Sequence, residues 1–163
     1  MRIVDVMLGE YLHEAAQTRK VLERIPTDKA TFAPHEKSMT MAKLAVHVVD
    51  LASWTTMTLT TTELDVQGGY EMPTFTTTAA LLEIFDKNVE DGKNALMAAN
   101  DEQLGVTWTL RAGDHVILAM PRGQCVRSMC FNHTVHHRGQ LSVYLRLVGV
   151  PVPGMYGPSA DES

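Results

Sequence analysis

Three histidines stand within five positions of one apolar stretch, CFNHTVHHRGQLSVYLRLVG, residues 130–149. At about 100° per residue of helix, His133 and His137 lie one turn apart on the same face, whereas His136 falls at the edge of that face. A histidine pair at positions i and i+4 directs two imidazole nitrogens toward one point, as in helical metal sites. We therefore expect His133 and His137 to be ligands of one divalent metal ion.

The face that carries this pair also carries most of the apolar residues of the predicted helix. Its members fall within about a third of the circumference and are Val126, Cys130, His133, His137, Gln140, Leu141, Tyr144 and Val148. We expect this face to be buried. Gln140 and Tyr144 are candidates to hydrogen-bond a ligand imidazole or a bound water, and a satisfied polar group in the core is the alternative.

A third imidazole is expected from LAVHVVDL, where His47 stands in an apolar stripe with Leu44, Leu51 and Trp54. The alternative is a hydrogen-bonded core histidine. Three imidazoles are the ligand set of an open, catalytic metal site. Zinc, nickel and iron all accept imidazole, so the ligands do not select one of them.

Several neighbours of the three histidines have more than one interpretation. Asp50 is expected either to accept a hydrogen bond from an imidazole or to be a solvated charge on the helix surface. Arg138 is expected in a surface salt bridge. Gly139, which costs a helix about 1 kcal/mol against alanine, suggests the close approach of another helix. The general base stays open among His136, Asp50 and Tyr144.

The periodicity of apolar residues predicts four long helices, at residues 3–24, 41–62, 79–99 and 125–148. VTWTLRAGDHVILAMP predicts a small β-hairpin that turns at Ala112-Gly113-Asp114 and forms an appendage. The expected fold is an all-α four-helix bundle with a β-hairpin before the last long helix, as a single domain over residues 1–163.

The 163 residues are 45% hydrophobic and 20% charged, with a formal net charge of −5. This balance argues against binding nucleic acid or an anionic membrane surface, both of which favour basic patches. No apolar run approaches the roughly 20 residues that span a bilayer, so we expect a cytoplasmic protein. Its two cysteines, Cys125 and Cys130, are expected to be reduced thiols.

HTVHHRGQLSVYLRLVGVPVP, together with LAVHVVDL and the ending VPGMYGPSADE, resembles the DinB/YfiT family of metal-binding four-helix bundles. The resemblance implies His47, His133 and His137 as metal ligands. Characterised relatives in the superfamily include metal-dependent thiol transferases and an isomerase that uses a thiol as cofactor.

What the resemblance implies for function is a metal that activates a thiol or water toward a small electrophile. A low-molecular-weight thiol, a small-molecule substrate and a homodimer are the corresponding expectations. The alternatives are a non-catalytic stress-response protein that binds a metal or small ligand, and a structural dimer that the metal stabilises.

Overall fold

Four long helical stretches dominate the computed structural model, which describes residues 2–162. They are α1 (Ile3–Leu22), α2 (Met41–Thr60), α3 (Thr78–Ala98) and a last helix that begins at Arg122 and ends at Leu147. Short elements lie between them: a 3₁₀ turn (Thr27–Lys29), α4 (Asp101–Leu104) and three strands. The prediction of a mostly helical fold with β-structure before the last long helix is therefore confirmed. None of the helices described is both long and apolar enough to cross a membrane.

Local sequence explains where these helices begin. The side chains of Thr40 and Thr77 accept hydrogen bonds from the backbone N–H groups three residues on, and so cap α2 and α3. Asn100 and Gln103 cap each other at the start of α4. The helices bury their apolar faces against one another; α2 contributes most, with Leu44, Val48 and Leu51 at spacings of three and four.

The last helix is not uniform, which corrects the prediction of one regular α-helix over residues 125–148. It consists of α5 (Arg122–Cys125), a π-helical segment (Val126–Asn132) and α6 (His133–Leu147). A π-helix closes its hydrogen bonds between residues i and i+5, so each turn holds more residues than an α-turn. An angle of 100° per residue therefore does not describe which side chains share a face within this segment. Cys130 and Phe131, which are adjacent in it, are both buried.

The predicted hairpin is confirmed as β2 (Thr107–Ala112) and β3 (His115–Pro121), which pair antiparallel. Gly113 turns the chain at a φ of +58°, a conformation that favours glycine. A third strand, β1 (Glu63–Asp65), pairs parallel with β2 and occupies residues just beyond α2. The sequence did not predict β1, because three residues are too few to show the alternation that marks a strand.

The sheet is also more than an appendage. Trp108 of β2 is fully buried and donates a hydrogen bond from Nε1 to Thr61 Oγ1 at 3.0 Å. Its ring lies 6.4 Å from that of Trp54 on α2, and it packs in one apolar cluster with Cys125. The strands are therefore anchored to the bundle at the end of α2.

The chain after α6 folds back toward α1. Arg24 donates to the carbonyl of Pro151 at 2.9 Å and to Glu162 at 3.0 Å. Arg24 lies two residues after the end of α1, and within α1 Glu14 accepts a hydrogen bond from Tyr156 at 2.7 Å. These polar contacts hold residues 151–162 against the first helix.

Candidate metal centre

The three predicted histidines lie together between α2 and α6. One ring nitrogen from each of His47, His133 and His137 lies within 4.8 Å of the other two. Nε2 of His133 is 3.4 Å from Nε2 of His47 and 2.8 Å from Nε2 of His137. Because all three Nε2 atoms converge on one point, these residues can hold a metal ion.

Helix geometry accounts for this convergence. His133 is the first residue of α6, immediately after the π-helical segment, and His137 follows one turn later. His47 lies in the middle of α2, half-buried and at the edge of its apolar stripe rather than at the centre, where the sequence predicted it. The edge position leaves one side of the imidazole toward an open cavity.

Burial and mutual repulsion keep the three imidazoles neutral. Desolvation is the largest cause of the lowered pKa of His47, which falls to about 4, and the neighbouring His137 and His133 lower it further. Desolvation and His137 also lower the pKa of His133, opposed by hydrogen bonding to the Met129 carbonyl. The pKa of His137 is lowered by burial as well. A neutral imidazole is the form that binds a metal.

Gln140 contacts His137, as one of its two interpretations predicted. Oε1 of Gln140 lies 2.6 Å from Nδ1 of His137, one turn away on α6. An amide oxygen only accepts hydrogen bonds, so Nδ1 carries the proton and the lone pair of Nε2 is directed at the other two rings.

The side-chain hydrogen bonds of Asp50 and Tyr144 go to groups other than the imidazoles. Asp50 is 6% exposed, which corrects the interpretation as a solvated surface charge. Its carboxylate accepts hydrogen bonds from Trp54 Nε1 at 3.1 Å and from the hydroxyl of Tyr70 at 2.8 Å. Tyr144 donates to the backbone carbonyl of Met39 at 3.1 Å. Both are satisfied polar groups of the interior, and Asp50 connects α2 to the loop before α3.

Arg138 is buried, so the expected surface salt bridge is wrong. Only 1% of its side chain is exposed, and it pairs with Glu14 of α1 at 2.7 Å. The same guanidinium donates to Thr18 Oγ1 and to the hydroxyl of Tyr156. The prediction failed because α1 and the C-terminal tail cover this side of α6, and both are distant in sequence.

Gly139 also differs from its prediction. It is exposed, and a Cβ atom built there would meet nothing within 4 Å in the described chain. A close approach does occur at Gly92 of α3, where a Cβ atom would lie 2.7 Å from Cζ of Tyr11. Within residues 2–162, the helix contact expected at Gly139 is therefore found at another glycine.

The cysteines are free and buried, in agreement with the expected reduced thiols. Burial raises the pKa of the Cys130 thiol to about 12, so this side chain behaves as a small apolar residue. Of the three candidate bases, His136 is the exposed one, and its ring centroid lies 4.8 Å from that of His137.

An open cavity of about 550 Å³ borders His47. Its other lining residues come from the start of α2 and from the loop before α3: Met39, Ala42, Lys43, Val46, Met72, Pro73, Thr74 and Phe75. This cavity was not predicted from the sequence. The position of Lys43 four residues before His47 was one available indication, because such residues share a helix face.

Comparisons with known proteins agree with this fold. The model of the DinB family matches residues 2–163. A Bacillus subtilis (strain 168) protein named YrdA is 27% identical over 167 residues, which cover 98% of this chain and 91% of YrdA.

Two solved structures share the fold. A DinB-like protein from Bacillus cereus ATCC 10987 superposes with a TM-score of 0.68 and 22% identity, over 91% of this chain and 95% of that one. The DinB-like protein YjoA from Bacillus subtilis gives a TM-score of 0.72 and 20% identity, over 93% and 98% of the two chains. With its family match over nearly the whole sequence, the chain belongs to the DinB family.

Proposed function

We propose that the protein is a metal-dependent enzyme of the thiol S-transferase type, in which His47, His133 and His137 hold one divalent ion. The observation that carries the proposal is the convergence of three Nε2 atoms beside an open cavity. A closed structural zinc site uses four protein ligands, whereas catalytic sites use three and leave room for water or substrate.

The residues present fit a divalent first-row metal. Three neutral imidazole nitrogens are suitable donors for zinc, nickel and iron. Gln140 fixes the proton of His137 on the nitrogen that faces away from the other rings. When bound, the ion would lower the pKa of a thiol or water and so supply a nucleophile at neutral pH.

The remaining chemistry belongs to the two reactants and to this chain. In the transfer, the thiolate sulfur forms a bond to the electrophilic carbon, and the leaving group departs with the electron pair of the bond that breaks. The proton of the thiol passes to solvent, and exposed His136 is the side chain near the site that is free to accept it first. The apolar cavity beside His47 would hold the electrophile and exclude water from part of its surface.

The first test is metal content. Protein supplied in turn with zinc, nickel and iron(II) is analysed for bound metal in the wild type, in His133→Ala and in the control His115→Ala, an exposed position on β3. We expect about one equivalent in the wild type and the control and none in His133→Ala, with the helical circular dichroism unchanged. Absence of metal from the wild type under all three conditions would overturn the proposal.

The second test is conjugation. Cysteine and 1-chloro-2,4-dinitrobenzene are incubated with loaded and chelator-treated protein, and thioether formation is followed by absorbance. Faster conjugation that requires the metal supports a transferase. A protein that binds metal and accelerates neither this reaction nor conjugation of other low-molecular-weight thiols would instead be the non-catalytic metal-binding alternative.

A further inference from the structure

We infer that the cavity beside His47 binds a small organic anion, with an apolar body against the cavity walls and its negative group paired with Lys43. The assignment of this anion as a substrate rests on the proposed function. Binding of the anion does not, because Lys43 and the cavity walls are present without a metal.

The walls of the cavity are predominantly apolar. Val46 and Ala42 line it from α2, and Met72, Pro73 and Phe75 line it from the opposite loop. A volume of about 550 Å³ lies within the range of small-molecule sites, which combine apolar walls with a few polar groups. An apolar body of one or two rings fits this space.

The loop that forms one wall is tied to α2. Tyr70 precedes the wall residues and donates a hydrogen bond to Asp50, which is itself buried on α2. The ring of Tyr70 also packs edge-on against Trp54 at 6.1 Å between centroids. These contacts hold the start of this loop against α2, which favours a preformed binding site.

Lys43 is the one lysine, arginine, aspartate or glutamate among the residues that line this cavity. None of the ion pairs among residues 2–162 includes it, although many other lysines and arginines of the chain are paired. The first N–H groups of α2 are already used, by Phe32, Ala30 and Thr40 as acceptors. The cation available to a ligand is therefore the Lys43 ammonium rather than the helix N-terminus.

The position of Lys43 relative to His47 gives the ligand a direction. Residues four apart on a helix have Cβ atoms about 6 Å apart and share a face. An anionic group at Lys43 and a reacting atom at His47 would be separated by a short apolar spacer. The inferred class is a compact apolar molecule with one carboxylate or sulfonate at the end away from its reacting atom.

Two fluorescent probes of nearly equal shape test the charge. 8-Anilinonaphthalene-1-sulfonate carries one sulfonate, and N-phenyl-1-naphthylamine is the same skeleton without it. Both are titrated into metal-free wild type, Lys43→Met, Lys43→Arg and the control Lys20→Met, an exposed lysine on α1. We expect Lys43→Met to weaken binding of the sulfonate probe about threefold to tenfold. Lys43→Arg and Lys20→Met should leave its affinity unchanged. Binding of the neutral probe should be the same in all four proteins.

A variant that fills the cavity tests whether the probes bind there. Ala42→Phe places a ring in the space between α2 and the loop and should abolish binding of both probes, with the circular dichroism spectrum unchanged. The inference is overturned if both probes still bind Ala42→Phe. It is also overturned if Lys43→Met weakens the binding of both probes equally.

The probe titrations and the metal-dependent conjugation assay can fail independently of each other. Charge-dependent probe binding in metal-free protein supports the anion site even if no metal is ever bound. Metal-dependent conjugation without any difference between the two probes would leave the proposed function standing and remove the anion site.

Discussion

Gln140 and His137 lie one turn apart on α6, with the amide oxygen 2.6 Å from Nδ1 of the imidazole. This contact fixes which ring nitrogen carries the proton, and it leaves Nε2 facing the other two histidines. Partners of this kind orient ligating histidines and raise their basicity. The contact therefore prepares His137 to bind a metal ion.

Replacing Gln140 should weaken metal binding without unfolding the protein. We expect Gln140→Leu to lose about tenfold to a hundredfold in affinity, because the imidazole is no longer held in one tautomer. Gln140→Glu keeps an acceptor oxygen and should retain binding. Competition with a chromophoric chelator measures the affinities, and Gln124→Leu, an exposed glutamine on α5, is the matched control. Equal affinity in Gln140→Leu and Gln124→Leu would contradict this role.

The metal-free protein should lose stability on mild acidification. The folded-state pKa of His47 is about 4, below its ordinary value of 6.5, so between these values the unfolded chain binds more protons than the folded one. The contribution is fully present above pH 6.5 and is lost as the pH falls toward 4. Urea unfolding in the presence of a chelator at pH 7 and pH 5 measures the free energy of unfolding.

A substitution at the same position separates this effect from other titrations. His47→Gln should show a smaller decrease in stability between the two pH values than the wild type, whereas His115→Gln on β3 should show the full decrease. A His47→Gln variant with an undiminished decrease would show that His47 is not the group responsible.

Two of the helical glycines, Gly139 and Gly92, should respond to alanine with opposite signs. Gly139→Ala should stabilise the protein by about 1 kcal/mol, because the added methyl group meets open space and alanine favours the helix. Gly92→Ala should destabilise it by about 1–3 kcal/mol, because Tyr11 occupies that space. Urea unfolding of both variants is the measurement. A destabilised Gly139→Ala would contradict the open space at this position.

Breaking the buried ion pair between Arg138 and Glu14 should be costly. The two side chains are 1% and 14% exposed, and Arg138→Met leaves the Glu14 carboxylate without its cationic partner, with only the hydroxyl of Tyr156 still donating to it. We expect a loss of about 3 kcal/mol in the free energy of unfolding. The double variant with Glu14→Gln should recover part of that loss, and bound metal should persist in the folded fraction. An additive double variant would show that the two residues do not interact.

The periodicity of apolar residues was sufficient to predict the helices and the histidine site, because both depend on local spacing. His133 and His137 share a face within one helix, and His47 follows from the stripe on α2. The hairpin was equally local, since a glycine-containing turn separates two short alternating runs.

Contacts between residues distant in sequence were not predictable in this way. The burial of Arg138 depends on Glu14 and Tyr156, which no spacing on α6 reveals. The pairing of β1 with β2 joins residues more than 40 positions apart. The π-helical segment was missed because an α-helical period was assumed throughout, although the residues of α6 beyond it kept their expected face.

The return of the C-terminal tail to α1 has a consequence for synthesis of the protein. Glu14 and Arg24 are among the first residues made, and their partners Tyr156 and Glu162 follow 142 and 138 positions later. At about 5–20 residues per second, a ribosome needs about 7–28 seconds to span that interval. Until the tail has been made, Arg24 lacks its partner Glu162 and Glu14 lacks the hydrogen bond from Tyr156, although Arg138, which is translated earlier, can already pair with Glu14.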